Sequence, residues 1–233
     1  SAHRIHPDWV YGLAELSVKT RQQIAEAQYV ANPGCYPQGF ILLIRPLIQS
    51  GILSASTPLR CNAVSGYSGG GRQMIEKFQN FSPLMANALG VQSYAHAQQH
   101  KHLPEMLYYS GTNVQPIFLP SVANYYKGML VEIPLFVSEL NNSTPEDVVA
   151  ILKAAYEDEP FINVSSLGAN DLMEDGFLNP TALNDTNNMD LMVLGDSNRI
   201  ILCARYDNIG KGAAGAAIQN LNIMLGITES VGI

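Results

Sequence analysis

Cys35 is the residue in this chain whose position best fits a nucleophile. It follows the turn Asn32-Pro33-Gly34 and precedes a predicted helix. Backbone N–H groups in the first turn of a helix, together with the helix dipole, stabilise a thiolate, the reactive form of cysteine. Free cysteine is also often a small buried hydrophobe. That second interpretation fits Cys61 and Cys203, which lie within apolar strand patterns.

Three histidines cluster within residues 94–105: His96, His100 and His102. A cysteine nucleophile needs a partner that stores and returns a proton near neutral pH, and histidine does this best. His96 and His100, four residues apart, could instead share a metal ion on a helix. The sequence specifies no third ligand, and the His-Glu-x-x-His pattern is absent, so we predict no metal site. Solvated surface histidines remain an alternative.

Two glycine-rich segments could bind a ligand through their backbone. Ser65–Arg72 offers a run of backbone donors, two serine hydroxyls and a guanidinium, and glycine lets such a loop approach a phosphate or a nicotinamide closely. The segment matches neither the P-loop nor the Gly-x-Gly-x-x-Gly pattern, so a flexible connection is an equal alternative. Residues 207–215 place glycines and a lysine before an alanine-rich helix. Nothing local distinguishes Arg4 from a solvated arginine.

The composition excludes several classes of protein. With 47% hydrophobic and 14% charged residues among 233, the chain can form a sizeable core. Thirteen basic against 20 acidic residues give a net charge of −7, which argues against general nucleic-acid binding. The apolar runs are too short to span a membrane. Three cysteines without a close-spaced pair indicate a reducing compartment. The chain begins at Ser1 without a signal peptide, so we expect a preceding N-terminal portion.

The pattern of apolar residues and breakers predicts an α+β domain. Helices are expected over residues 18–28, 38–50 with a kink at Pro46, from the glycine-rich loop to about 78, from the cap at Thr144 to 156, and over 213–225. Strands are expected over residues 29–31, 60–65, 114–119, 127–137 and 199–205. Several long strands with few crossover helices favour a mixed or largely antiparallel sheet.

Four segments, in this order, resemble the motifs of the N-acetyl-gamma-glutamyl-phosphate reductases of arginine biosynthesis. They are residues 32–37, 65–72, 100–105 and 207–215. Residues 1–4 and 184–190 are similar to the shorter of the family's two sequence types. The resemblance runs from the first residue to about Leu225, and the ordered set of four motifs makes it specific.

The resemblance implies the fold of the glyceraldehyde-phosphate and aspartate-semialdehyde dehydrogenases. We therefore expect an α+β catalytic domain with a mixed, mostly antiparallel sheet and helices on one face. Remnants of an α/β Rossmann domain are expected at both ends. Residues 1–32 would be the tail of the NADP-binding domain, 33–206 the catalytic and oligomerisation domain, and 207–233 a helix returning to the cofactor domain. The family's N-terminal dinucleotide fingerprint is not in this sequence, and a chain without it is expected to be inactive alone.

The resemblance also implies the chemistry. The family reduces N-acetyl-gamma-glutamyl phosphate with NADPH to the semialdehyde and phosphate. Cys35 matches the nucleophile, which forms a thioester, and His102 matches the acid/base residue. Contacts to substrate or phosphate are implied for Arg72, Arg4, Ser65 and His100. Contacts to NADP(H) are implied for Ser68, Gly69 and Asn208.

Three other functions compete with this one. A sister enzyme could act on an aminoadipyl-type phosphate, because a pocket separates substrates one methylene apart by only about 1–3 kcal/mol. A hydrolase or acyltransferase could use Cys35 and His102 without a nicotinamide, and a cofactor-free domain could serve oligomerisation alone. The expected partners are a small acyl phosphate, NADP(H) and further copies of the chain in a dimer or tetramer. The expected location is the cytoplasm, with no nucleic-acid or membrane partner.

Overall fold

The computed structural model describes residues 2–82, 85 and 90–233, and its strands form one large sheet and one small sheet. The helices are α1 (Val18–Glu26), α2 (Cys35–Gln49), α3 (Gly71–Gln79), α4 (Leu103–Ser110), α5 (Pro145–Tyr156) and α6 (Gly215–Met224). The strands are β1 (Val10–Tyr11), β2 (Val30–Ala31), β3 (Arg60–Gly66), β4 (Val91–Ser93), β5 (Ile117–Ala123), β6 (Met129–Phe136), β7 (Ile162–Val164), β8 (Met189–Gly195) and β9 (Arg199–Tyr206).

The large sheet has the strand order β4-β5-β3-β6-β9-β8-β7. Strands β3 and β5 pair in parallel, as do β7 and β8, whereas the other four neighbouring pairs are antiparallel. The prediction of a mixed, mostly antiparallel sheet is therefore confirmed. Strand β8 was not predicted from the sequence, because its apolar run is buried on both faces and lacks the alternation that marks a half-exposed strand.

Helix α2 lies at the centre of a helical layer that covers one face of the large sheet. It packs against α4 and α5 and against strands β6 and β9. The side chains of Phe40, Ile41 and Leu43 are fully buried, and burial of each contributes about 1.5–3 kcal/mol. Helix α2 begins at Cys35, three residues earlier than predicted. Proline fits the first turn of a helix, where backbone N–H groups have no helical acceptor, so Pro37 does not delay the start.

Several element boundaries differ from the predictions. Strand β5 begins at Ile117 rather than at residue 114, and α6 begins at Gly215 after a π-helical turn over Gly210–Ala214. Helix α4 was not predicted from the sequence, and before it His96 lies in a turn and His100 in an irregular segment rather than on a helix. The predicted cap of α5 is confirmed, because Thr144 and Asp147 exchange hydrogen bonds between side chain and backbone.

The second face of the large sheet is only partly covered. Leu130, Met192 and Cys203 form a small buried cluster with Ala169. Beyond this cluster, apolar side chains on the same face remain exposed: Ile117, Leu119, Phe136 and Ile201. The predicted layer of helices on one face is thus confirmed.

The two ends of the chain pack against each other. Strands β1 and β2 form a separate parallel pair, and α1 packs against α6. A buried ion pair stabilises this region, because Lys211 Nζ donates to Glu15 Oε1 at 2.5 Å while both side chains are 1% exposed. Within the part of the chain that the structure describes, no helix is both long and apolar enough to cross a bilayer.

Candidate active site

Cys35 opens α2 directly after Gly34, which serves as the N-cap residue. The side chain is half-buried, and its backbone oxygen accepts a hydrogen bond from the hydroxyl of Tyr206 at 2.6 Å. Burial raises the pKa of the Cys35 thiol to about 11, and the N–H of Tyr36 and the charge of Lys101 offset this rise only in part. The predicted stabilisation of a thiolate by the helix N-terminus is therefore outweighed by burial, and the free thiol is protonated at neutral pH.

His102 lies beside the turn that carries Cys35. It is the N-cap of α4 and is 4% exposed. A Cβ placed on Gly34 would lie 2.6 Å from its Nε2 atom, so the imidazole contacts the backbone just before Cys35. Nδ1 is buried without a hydrogen-bond partner in the described chain. Burial first, then the nearby His100 and Arg4, lowers the pKa of His102 to about 2. The imidazole is therefore neutral at pH 7.

His100 presents a donor to the same cavity. Its Nδ1 accepts the backbone N–H of His102 at 3.2 Å. Burial, followed by the charge of Lys101, lowers the pKa of His100 to about 4. A neutral imidazole that accepts at Nδ1 carries its proton on Nε2. We assign that tautomer from the hydrogen bond, which makes His100 a neutral donor among the residues that line the cavity.

The Glu105 carboxylate forms hydrogen bonds to several segments that surround the site. It is 1% exposed and lies one helical turn after His102. Its Oε1 accepts from Arg4 Nη1 at 2.7 Å, while its Oε2 accepts from the N–H of Gly34 at 2.9 Å and the hydroxyl of Tyr11 at 3.1 Å. Glu105 thus holds the Gly34–Cys35 turn against the helix that carries His102, and it neutralises Arg4.

The glycine-rich segment after β3 is fixed by hydrogen bonds rather than flexible. The backbone N–H groups of Tyr67 and Ser68 donate to the carbonyl oxygens of Tyr125 and Tyr126. Asn208 Nδ2 donates to the hydroxyl oxygen of Ser68 at 2.9 Å. These contacts hold the loop over the cavity beside Cys35.

Most of the predicted site residues line one cavity of about 540 Å³. The residues that the structure brings together there are Cys35, His102, His100, Arg4, Ser65, Ser68, Gly69 and Asn208. Arg72 is different: its side chain is 91% exposed, and its Nε donates to Glu76 at 2.6 Å on the outer surface of α3. The prediction that Arg72 binds phosphate stays untested, and its position in this structure argues against it.

Sequence reasoning missed several lining residues. Lys101 lies between the two histidines, and Tyr36 and Tyr94 line the cavity with their hydroxyls 3.4 Å apart. Lys101 lies within the motif at residues 100–105, so its positive charge was the sequence feature that could have identified it as a binding residue. The role of Glu105 could not be read from the sequence, because its partners are up to 101 residues away along the chain.

The third histidine of the cluster points elsewhere. His96 Nε2 lies 3.0 Å from the hydroxyl of Ser93, and the residue is absent from the lining of the cavity. Among residues 2–82, 85 and 90–233, no group of three His, Cys, Asp or Glu side chains is placed to hold a metal ion.

Comparison with known proteins places this site in a family. The model of the family described as "semialdehyde dehydrogenase, dimerisation domain" matches residues 35–208. N-acetyl-gamma-glutamyl-phosphate reductase of Trichormus variabilis is 44% identical over 100% of this chain and 74% of that protein. The Brucella ovis protein of the same name is 43% identical over 97% of this chain and 73% of its own length.

Solved structures share the fold at low sequence identity. Aspartate semialdehyde dehydrogenase II from Vibrio cholerae superposes with a TM-score of 0.69 at 15% identity, covering 97% of this chain and 71% of that one. The Francisella tularensis aspartate semialdehyde dehydrogenase gives a TM-score of 0.68 at 13% identity, covering 97% and 73%. With the sequence matches, these likenesses lead to one conclusion: the chain belongs to the N-acetyl-gamma-glutamyl-phosphate reductase family of oxidoreductases.

Proposed function

We propose that this chain carries the catalytic site for NADPH-dependent reduction of N-acetyl-gamma-glutamyl phosphate to N-acetylglutamate semialdehyde and phosphate, a reaction of arginine biosynthesis. One observation carries the proposal. A half-buried thiol and a buried, neutral imidazole line the same cavity, and the imidazole packs against the backbone that precedes the thiol. A cysteine with an adjacent base is the arrangement that covalent acyl transfer requires.

His102 prepares the nucleophile. The thiol of Cys35 has a pKa of about 11, so a base must take its proton as the sulfur attacks. The neutral imidazole of His102 accepts that proton. The sulfur bonds to the γ-carbonyl carbon of the substrate, the bond from that carbon to the phosphate oxygen breaks, and inorganic phosphate leaves. The product on the enzyme is a thioester at Cys35.

The nicotinamide cofactor would bind in the same cavity. The wall beside Cys35 is made by glycine backbone: a Cβ on Gly212 would lie 3.1 Å from the Cβ of Cys35, so a side chain at that position would crowd the thiol. Ser68, Gly69 and Asn208 line the same cavity and are the residues that would hold NADP(H). NADPH, when bound, supplies the hydride that converts the thioester to a thiohemiacetal. His102 returns its proton to the developing alkoxide oxygen and assists the release of the semialdehyde.

Polar groups around the thiol would bind the substrate. The hydroxyl of Ser65 lies 3.0 Å from that of Tyr36 deep in the cavity, and His100 offers its Nε2–H. Arg4 keeps part of its guanidinium at the cavity, with its side chain 19% exposed. These groups are suited to the carboxylate, carbonyl and phosphate oxygens of the substrate.

The predicted domain limits are part of this proposal. Residues 1–32 and 207–233, which pack against each other through α1 and α6, would belong with the cofactor domain, and residues 33–206 would be the catalytic and oligomerisation domain. The exposed apolar face of the large sheet would pair with a second copy in a homo-oligomer. Three free cysteines support a reducing compartment, which we take to be the cytoplasm.

One experiment tests the proposed function. N-acetylglutamate semialdehyde is incubated with NADP, inorganic phosphate and the enzyme that includes the expected N-terminal cofactor portion, and NADPH formation is followed by absorbance. The proposal expects formation that depends on both NADP and phosphate and is lost in Cys35→Ser. Repeated cleavage of N-acetyl-gamma-glutamyl phosphate in the absence of NADP(H) would favour a hydrolase or acyltransferase. Faster turnover of the aminoadipyl homologue would favour the sister substrate.

A further inference from the structure

The positively charged groups around the cavity are not equally free to bind a ligand. Among the described residues, four that line the cavity could carry a positive charge: Arg4, His100, Lys101 and His102. The two imidazoles are neutral at pH 7, since burial lowers the pKa of His100 to about 4 and that of His102 to about 2. Arg4 is held at 2.7 Å by the buried carboxylate of Glu105. Its charge is therefore already compensated by the protein.

Lys101 is the remaining cation of the cavity wall. Its side chain is exposed, and it has no hydrogen-bond or ion-pair partner within residues 2–82, 85 and 90–233. Its charge is felt at the reacting groups, because it lowers the pKa of Cys35, of His100 and of His102. Burial is the largest influence on each of these three groups. The ammonium nonetheless lies near enough to interact with whatever occupies the space in front of the thiol.

Arg72 does not supply this charge in the structure. It lies on the outer surface of α3 and pairs with Glu76, and it is not among the residues that line the cavity. A pair of this kind at i,i+4 on an exposed helix is a surface interaction. The phosphate of the substrate therefore lacks the cation that the sequence analysis assigns to it.

We propose that Lys101 binds the phosphate of the acyl phosphate and of the inorganic phosphate that leaves. The inference rests on the proposed function and adds to it the residue that recognises the leaving group. A dianionic phosphate needs an uncompensated cation, and a lysine ammonium on a flexible stem can follow the phosphate as its bond to the carbonyl carbon breaks. Positive charge at this point also stabilises the negative charge that develops on the leaving oxygen.

The first test uses alkylation of Cys35 and needs neither cofactor nor substrate. Iodoacetate is an anion and iodoacetamide is neutral, so the ratio of their rates reports the charge in front of the thiol. A change in the pKa of the thiol alters both rates equally and cancels in the ratio. We expect Lys101→Met to lower the iodoacetate to iodoacetamide ratio roughly fivefold, the effect of one unit charge at short range in water. Lys101→Arg should keep the wild-type ratio.

Arg72→Leu is the matched control, because it also removes one cation close in sequence to the glycine-rich loop. It should leave the ratio unchanged. An unchanged ratio in Lys101→Met, or an equal fall in Arg72→Leu, would overturn the assignment of Lys101. High salt should reduce the difference between wild type and Lys101→Met, since screening weakens exposed charges.

The second test separates this inference from the proposed function. In phosphate-dependent oxidation of the semialdehyde, Lys101→Met should raise the KM for phosphate at least about tenfold and leave the KM for NADP unchanged. Lys101→Arg should recover most of the loss. A wild-type enzyme that shows no phosphate dependence would refute the proposed function, and with it a phosphate at Lys101. A phosphate-dependent wild type with an unaltered KM in Lys101→Met would refute the role of Lys101 alone.

Discussion

Replacing Gly34 with alanine tests whether the close contact between the Cys35 turn and His102 matters for the chemistry. Gly34 has φ −71° and ψ 150°, which alanine adopts without strain, so the substitution acts through space alone. The added Cβ would lie 2.6 Å from Nε2 of His102, whereas ordinary contact begins at 3.4 Å. The imidazole or the turn must therefore move by 3.4 − 2.6, or about 0.8 Å. Misplacement on the order of 1 Å costs about 100-fold in rate.

We expect Gly34→Ala to lower kcat by roughly 30- to 100-fold. Overpacking should also reduce the free energy of unfolding by about 1–3 kcal/mol, or a Tm decrease of roughly 3–10 °C. The assays are NADPH formation and thermal unfolding followed by circular dichroism. Gly90→Ala is the control, because a Cβ there meets nothing within 4 Å. A folded Gly34→Ala protein with wild-type kcat would refute the reasoning.

Three further predictions follow from the pKa values and the buried charges. Iodoacetamide should label Cys35 faster than the fully buried Cys61. The labelling rate of Cys35 should rise about tenfold per pH unit from pH 7 to 10, since its pKa is about 11. Quantitative mass spectrometry checks this, and faster labelling of Cys61 would contradict it. His102→Asn should lower kcat by roughly 100-fold or more while the KM for NADP stays constant. Steady-state kinetics measures both, and an unaltered kcat would contradict the assignment of His102. Lys211→Met should lower the free energy of unfolding by about 3–5 kcal/mol because the buried carboxylate of Glu15 loses its cation. Adding Glu15→Leu should recover much of the lost stability. Urea unfolding measures both variants, and a double variant less stable than Lys211→Met would contradict the prediction.

The same buried pair predicts how stability depends on pH. Burial raises the pKa of Glu15, but the charge and hydrogen bonds of Lys211 and Gln219 together outweigh this and hold the pKa below its ordinary value of 4.5. A carboxyl whose folded pKa is depressed stabilises the fold above its unfolded pKa and loses that contribution as the pH falls. Wild type should therefore lose this stabilisation below about pH 4.5. Lys211→Met should not share that loss.

Local patterns predicted those features of the fold that depend on neighbouring residues. The Pro33-Gly34 turn and the apolar run after it placed Cys35 just before a helix, although α2 begins at Cys35 itself. The cap of α5 followed from Thr144 and Pro145. Long β-branched and apolar runs indicated β3, β6 and β9, and their number relative to the helices favoured a mixed or largely antiparallel sheet.

Features that depend on distant partners could not be predicted in this way. The sequence marked Cys35 for a lowered pKa because the helix N-terminus is a local signal, whereas the burial that raises its pKa comes from the whole fold. The family resemblance implied a contact between Arg72 and the phosphate or substrate, yet the Arg72 side chain lies on the outer surface of α3. The link between Glu105 and Arg4 spans 101 residues, a distance that no local pattern encodes.

The most direct test of the central claim is to trap the acyl group on Cys35. The protein is incubated with N-acetyl-gamma-glutamyl phosphate in the absence of NADPH, denatured in acid, digested and analysed by mass spectrometry. We predict an N-acetylglutamyl thioester on the peptide that contains Cys35, sensitive to hydroxylamine and absent from Cys35→Ser. Slower formation is expected in His102→Asn. An adduct on another residue, or phosphate release without any adduct on Cys35, would contradict the account.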